Sequence, residues 1–160
     1  MKVSIFYDSV TGNTKKLADV INESFNNVTT IEESDIVFIG SWTDKGNPSL
    51  KVQEELKKIK NKKIFYFGTC GFGGSKQYYE MLFDRVKAFI DSSNQIIGYF
   101  YCQGKMPKSI KDRYENLLKE NPNDEKIKRA IENFDNALNH PNEDDLNSLK
   151  KILEEIKEKY

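Results

Sequence analysis

The sequence predicts an α/β fold, a parallel sheet wound with helices on both faces. Three observations carry that prediction. Four short runs, Val3–Tyr7, Ile36–Gly40, Ile64–Gly68 and Ile96–Tyr101, are almost continuously apolar, as strands buried on both faces are. Segments with helical spacing separate these runs, and such alternation builds parallel sheets. The first run leads directly into a turn rich in hydroxyls and then into a helix, a sequence of elements that makes an anion site.

The elements follow in order. Leu17, Ala18, Ile21 and Phe25 share one side of the first helix, Lys15 to Phe25. A weaker strand, Asn27–Ile31, fits before Ile36. Asn47-Pro48-Ser49 opens a second helix carrying Val52, Leu56 and Ile59. Tyr78, Met81, Leu82, Val86, Phe89 and Ile90 line a third. Beyond Gly104 the pattern becomes wholly helical. Ile110, Tyr114, Leu117 and Leu118 define one helix, and Asn121-Pro122-Asn123-Asp124 ends it and caps the next. That helix carries Ile127, Ala130, Ile131, Phe134, Ala137 and Leu138. His140-Pro141-Asn142 breaks it, and Leu146, Leu149, Leu153 and Ile156 mark the last. Residues 1–160 thus read as a single domain, with a core of sheet and helices over 1–104 and a helical C-terminal extension over 105–160.

Composition narrows the function classes. Lys plus Arg equals Asp plus Glu, 25 each, so no charge argument points to nucleic acid. No apolar run reaches the length of a membrane span, and the N-terminus has no signal-peptide pattern. Two cysteines and no secretion signal fit a reducing, cytoplasmic setting. No nucleic acid and no membrane are expected as partners.

The chemistry concentrates at Ser9-Val10-Thr11-Gly12-Asn13-Thr14. A helix start offers unpaired N–H groups and the positive end of the helix dipole. Ser9, Thr11 and Thr14 add hydroxyl donors, and Gly12 permits close backbone approach. The turn holds no Lys or Arg, so it suits a phosphate held by neutral hydrogen bonds. An ordinary N-cap also uses Ser, Thr or Asn, but one cap accounts for one hydroxyl, not three beside a glycine. The spacing excludes a Walker loop, because Asn13-Thr14 follows Gly12 at once. The Gly-x-Gly-x-x-Gly dinucleotide fingerprint is absent after the first strand. A phosphotyrosine phosphatase loop would need a bracketing Cys and Arg. A response-regulator receiver would need Asp where Ser41 stands.

The turn resembles the phosphate loop of the flavodoxins, Ser/Thr-x-Thr-Gly-x-Thr, at every specified position. The resemblance covers roughly residues 1–104 and includes Ile39-Gly40-Ser41-Trp42 and Phe67-Gly68-Thr69. It implies a flavodoxin-like, doubly wound, five-stranded parallel sheet of order 2-1-3-4-5, with additional C-terminal helices, and a non-covalent FMN. Ligands in such sheets lie outside the carboxyl ends of the strands, here at loops 9–14, 41–47, 69–77 and 102–107. The resemblance implies that Trp42 stacks on the flavin; otherwise it is a core residue closing the end of the sheet. Phe72 or Tyr78 would serve the second face. A carbonyl turned toward a protonated ring nitrogen stabilises the one-electron state, and Thr43-Asp44-Lys45-Gly46 is the place for it. Asp44 would lower the flavin potential and Lys45 would raise it. The expected cofactor-binding set is Ser9, Val10, Thr11, Gly12, Asn13, Thr14, Ser41, Trp42, Thr43, Asp44, Lys45, Gly46, Thr69, Cys70, Gly71, Phe72 and Tyr78. No catalytic residue and no metal ligand are expected.

Cys70 and Cys102 end neighbouring strands and read either as a redox pair or as two buried thiols. His140, with Asp144 and Asp145 nearby, reads as a helix boundary with capping acids rather than a metal site.

Two departures from the family pattern stand out. Flavodoxins are usually acidic, whereas this chain is neutral. The family usually ends with one helix after the fifth strand, whereas 56 residues follow Gly104 here. The extension is expected to pack over the core, approach the flavin mouth, or form a partner or dimer surface. The expected function is electron transfer between redox partners, a reductase and an acceptor. The alternatives are an FMN-dependent NAD(P)H reductase of a small acceptor such as a quinone, an accessory to a specific reductase, and a binding module that has lost the cofactor.

Overall fold

The computed structural model describes residues 1–160. The elements are β1 (Val3–Asp8), α1 (Asn13–Ser24), β2 (Ile36–Asp44), β3 (Asn47–Pro48), α2 (Leu50–Lys58) and β4 (Lys63–Cys70). They continue with α3 (Lys76–Lys87), β5 (Gln95–Gln103), α4 (Lys108–Glu120), α5 (Glu125–Ala137) and α6 (Glu143–Lys159). β1, β2, β4 and β5 lie side by side in that order, all parallel.

The expected strand at Asn27–Ile31 shrinks to one parallel bridge, Val3 to Val28, on the outer edge of β1. Two backbone bonds make it: Val3 N to Asn27 O at 3.0 Å and Thr29 N to Val3 O at 2.8 Å. The position agrees with the order 2-1-3-4-5, but the strand is too short to be an element.

Period-two alternation divides the strands between two cores. Phe38, Phe65, Phe67, Phe100 and Cys102 face α1 and α6. Val37, Ile39, Ile64, Tyr66, Cys70 and Tyr101 face α2 and α3. In α6, Leu149 and Leu153 are wholly buried and Ile156 nearly so, so this helix covers the β1 side of the sheet beside α1. α4 and α5 pack on each other instead. α4 buries no residue completely, and α5 buries only Phe134 and Ala137. The extension is therefore a sheet-covering last helix preceded by a helical hairpin inserted after β5.

Loop 41–47 is a second difference. β2 runs on through Ser41, Trp42 and Thr43 to Asp44 and pairs antiparallel with β3. Lys45 and Gly46 join the two with φ of 50° and 82°, the two positive values that a type I′ hairpin turn requires. The sequence Asp-Lys-Gly-Asn hides this turn because Lys, not Asn or Asp, takes its first position.

Candidate functional site

The site forms where the carboxyl ends of β1, β2 and β4 meet the start of α1. Gly12 is the N-cap of α1 at φ 86°, a left-handed value natural to glycine. A glycine has no side chain to cap with, so the first turn of α1 is open to a ligand. Its one side-chain partner is Ser9, whose Oγ accepts from Lys15 N at 3.2 Å. Thr14 is fully buried and its hydroxyl bonds that of Thr69 at 2.9 Å, tying α1 to β4. Thr43 Oγ1 donates to Thr69 O at 2.7 Å, so one residue of β4 anchors both the turn and the hairpin.

Asn13 is the most informative residue. It is almost completely buried. Its Nδ2 donates to Lys105 O at 2.8 Å, while Oδ1 has no hydrogen-bond partner. Buried polar atoms are nearly always satisfied, and this one lies on the wall of a cleft.

That cleft has a volume of about 510 Å³. Of the expected residues, Val10, Thr11, Asn13, Trp42, Thr43, Lys45, Gly46, Thr69, Cys70, Gly71, Phe72 and Tyr78 line it. Ser9, Gly12 and Thr14 belong to the turn beside it. Ser41 lies beneath: its hydroxyl accepts from Ser49 N at 2.8 Å and donates to Trp42 O at 2.5 Å. Asp44 is exposed on the hairpin. Trp42 is half-buried, and its indole Nε1 donates to Asp8 Oδ2 at 3.0 Å, so a residue absent from the expected set holds the ring in place. Arg85, on α3, reaches Lys45 O with Nη1 at 3.4 Å and braces the hairpin turn.

Gly104, Lys105, Met106, Pro107 and Ile110 complete the lining. The loop that holds the first four is expected at this end of the sheet, and Ile110 lies in the first turn of α4, yet no motif singled out these residues. Besides the Asn13 bond to Lys105 O, two backbone bonds hold the loop: Gly104 N to Cys70 O at 2.9 Å and Lys105 N to His140 O at 3.0 Å. Asn133 of α5 donates through Nδ2 to Gly71 O at 2.9 Å and accepts from Gln103 Nε2 at 2.9 Å. Thus the α4–α5 hairpin is pinned to the glycine-rich loop Gly71-Phe72-Gly73-Gly74 at the mouth of the cleft.

The cysteines do not form a pair. Thr69, not Cys70, is in register with Cys102, so the thiols point to opposite faces of the sheet and belong to different cores. Both are free. Burial pushes the Cys70 thiol up to about 12, and Sγ donates to Phe72 O at 2.7 Å. Burial raises Cys102 too. Burial also raises the Tyr78 phenol. His140 Nδ1 bonds Asp145 Oδ2 at 2.7 Å, and Asp145 completes the capping box of α6 with Asn142. The cluster is thus a helix start, and nowhere do three His, Cys, Asp or Glu side chains gather to hold a metal. No helix is long and apolar enough to cross a membrane.

A parallel doubly wound sheet with a hydroxyl-lined turn at its switch point and an aromatic cleft beside it defines a flavodoxin-like protein. A profile described as a flavodoxin domain matches residues 4–154. The chain belongs to the flavodoxin family. It is 35% identical over 159 residues to the flavodoxin-like domain-containing protein BilS of Clostridioides difficile (strain CD3), covering 91% of this chain and 90% of that one. Among solved structures, a flavodoxin of Streptococcus pneumoniae TIGR4 superposes with a TM-score of 0.60 at 15% identity, each chain covered completely. A flavoprotein of Lactobacillus acidophilus NCFM in complex with FMN superposes at 0.52 and 16% identity, over 71% of this chain and 98% of that one.

Proposed function

We propose that this chain binds one FMN non-covalently and carries electrons between redox partner proteins. The observation that carries the reading is the buried, unpartnered acceptor of Asn13, a residue of the hydroxyl-rich turn that lines a cleft also lined by Trp42, Phe72 and Tyr78. An unsatisfied buried acceptor costs about 1–3 kcal/mol, and a ribityl hydroxyl is a donor that relieves it. The phosphate beside that chain is an acceptor, matched by the N–H groups of the α1 N-terminus and the hydroxyls of Ser9 and Thr11. The residues present therefore fit FMN. Trp42 serves one face of the ring, and Phe72 or Tyr78 the other. The FMN held by the Lactobacillus acidophilus flavoprotein, which shares the fold, supports the same assignment.

Bound FMN supplies both one- and two-electron transfer. The chain's part is to hold it, shield one edge and leave another accessible. The Lys45–Gly46 turn offers its backbone to the ring edge, with Lys45 and Asp44 biasing the potential in opposite directions. Burial keeps Cys70 protonated at neutral pH, so it offers no nucleophile.

The test is the visible absorbance of the purified chain after incubation with FMN and removal of excess. One FMN per chain is expected, reduced by dithionite and only slowly by NAD(P)H. A colourless protein would overturn the cofactor assignment. Rapid reduction by NAD(P)H alone would overturn the carrier reading in favour of a reductase of a small acceptor.

A further inference from the structure

The inserted hairpin does more than brace the glycine-rich loop. Between α4 and α5 lies a groove of about 540 Å³ floored by Tyr114, Leu117, Ile127 and Ala130. Phe72 forms one wall of it and also lines the flavin cleft, so the two hollows are adjacent, with Phe72 between them. Phe72 is 47% exposed and Leu117 40%, an apolar surface presented at the cleft mouth.

The charges that line this surface have one sign. The charged residues lining the two hollows are Lys45, Lys105, Lys126 and Arg129, with no Asp or Glu among them. None of the four is in an ion pair. Their neighbours Lys111 and Lys128 are neutralised by Asp135 and Glu125. The nearby Asp124 carboxylate is occupied in capping α5, accepting from Lys126 N and Ile127 N. These four unpaired cations are a local feature of a chain with no net charge.

We propose that the cleft mouth and the α4–α5 groove form one docking face for a redox protein whose own face is acidic around a protruding apolar side chain. The proposal rests on the electron-carrier reading. An apolar centre with a charged rim is the anatomy of a protein interface, and unpaired rim charges steer encounter and select partners. A partner seated in the groove touches Phe72 and so lies beside the cleft that would hold the flavin. A second copy of this chain is disfavoured, because the same four cations would face each other.

The experiment is an NMR titration of the isotope-labelled FMN-loaded chain with two probes, an acidic plant-type ferredoxin and a basic cytochrome c. The apo chain is titrated in parallel, and FMN absorbance is recorded separately, so loss of the cofactor reading is distinguishable from loss of the docking reading. Ferredoxin is expected to shift the amides of Phe72, Leu117, Lys126 and Arg129. The shifts should vanish at about 0.5 M salt, where screening reaches only a few Å. The double substitution Lys126→Glu with Arg129→Glu should weaken ferredoxin binding about tenfold or more. Both side chains are exposed on α5, and an unchanged melting temperature will show that the fold survives. Four results would overturn the proposal: no ferredoxin binding, binding elsewhere, preference for cytochrome c at this face, or self-association through it.

Discussion

At the scale of single residues, Asn13 does two jobs with one amide. Its nitrogen fastens the β5 exit loop at Lys105 O, and its oxygen waits for a donor. Asn13→Asp removes the donor and sets a carboxylate beside the phosphate position. We expect FMN affinity to fall about a hundredfold, on the order of 3 kcal/mol. Asn13→Ala, which adds no charge, should cost about tenfold. Quenching of FMN fluorescence gives both values, and the melting temperature of the apo chains separates binding from folding. Equal affinities for Asp and Asn would exclude a phosphate at this turn. The turn itself was legible in the sequence because its hydroxyl residues and glycine are adjacent in the chain. Asp8, which orients Trp42, and Arg85, which braces Lys45, were not, because each acts across 34 and 40 residues of chain through one side-chain bond. The cysteines show the same limit. Proximity of two strand ends is visible in a sequence, whereas a one-residue offset in register, which sends the thiols to opposite faces, is not.

At the scale of elements, the three C-terminal helices carry similar apolar stripes but have different fates. α6 buries Leu149 and Leu153 completely against the sheet, while α4 leaves Leu117 part-exposed. Leu153→Ala should therefore destabilise the chain by about 2–5 kcal/mol, because the vacated volume lies in a rigid core. Leu117→Ala should cost less than about 1 kcal/mol, because its surroundings are already open to water. Urea unfolding of the two variants decides the matter, and comparable losses would mean that α4 is part of the main core. Helical period tells which residues share a face but not what covers the face. That is why the existence of these helices was readable and their packing was not. The β2–β3 hairpin was missed for a related reason. Ser41–Asp44 contains two hydroxyl residues and an acid, weak strand signals that the antiparallel partner Asn47–Pro48 makes good.

At the scale of the whole molecule, the strands and α3 contribute a set of neutral acids to the core and cleft wall. Burial raises Cys70 and Tyr79 each to about 12 and also raises Cys102, Tyr66 and Tyr101. Their ordinary values are 9.0 for a thiol and 10.0 for a phenol. Below pH 9 these groups are protonated in both the folded and the unfolded chain, and they do not affect the balance. Above that, the unfolded chain loses protons that the folded chain keeps, so it binds fewer protons and stability falls as pH rises. The loss approaches about 1.4 kcal/mol per pH unit for each fully buried group while the pH lies between its two values. The urea midpoint, measured under reducing conditions, should be nearly level from pH 7 to about 8.5 and fall steeply from pH 9 towards 12. Cys70→Ala should make the fall between about pH 9 and 10 shallower without moving its onset, since the Cys102 thiol still titrates there in the unfolded chain. A midpoint unchanged up to pH 10.5 would mean that these groups are hydrated in the folded chain, and with them the floor of the cleft beneath Phe72 and Tyr78.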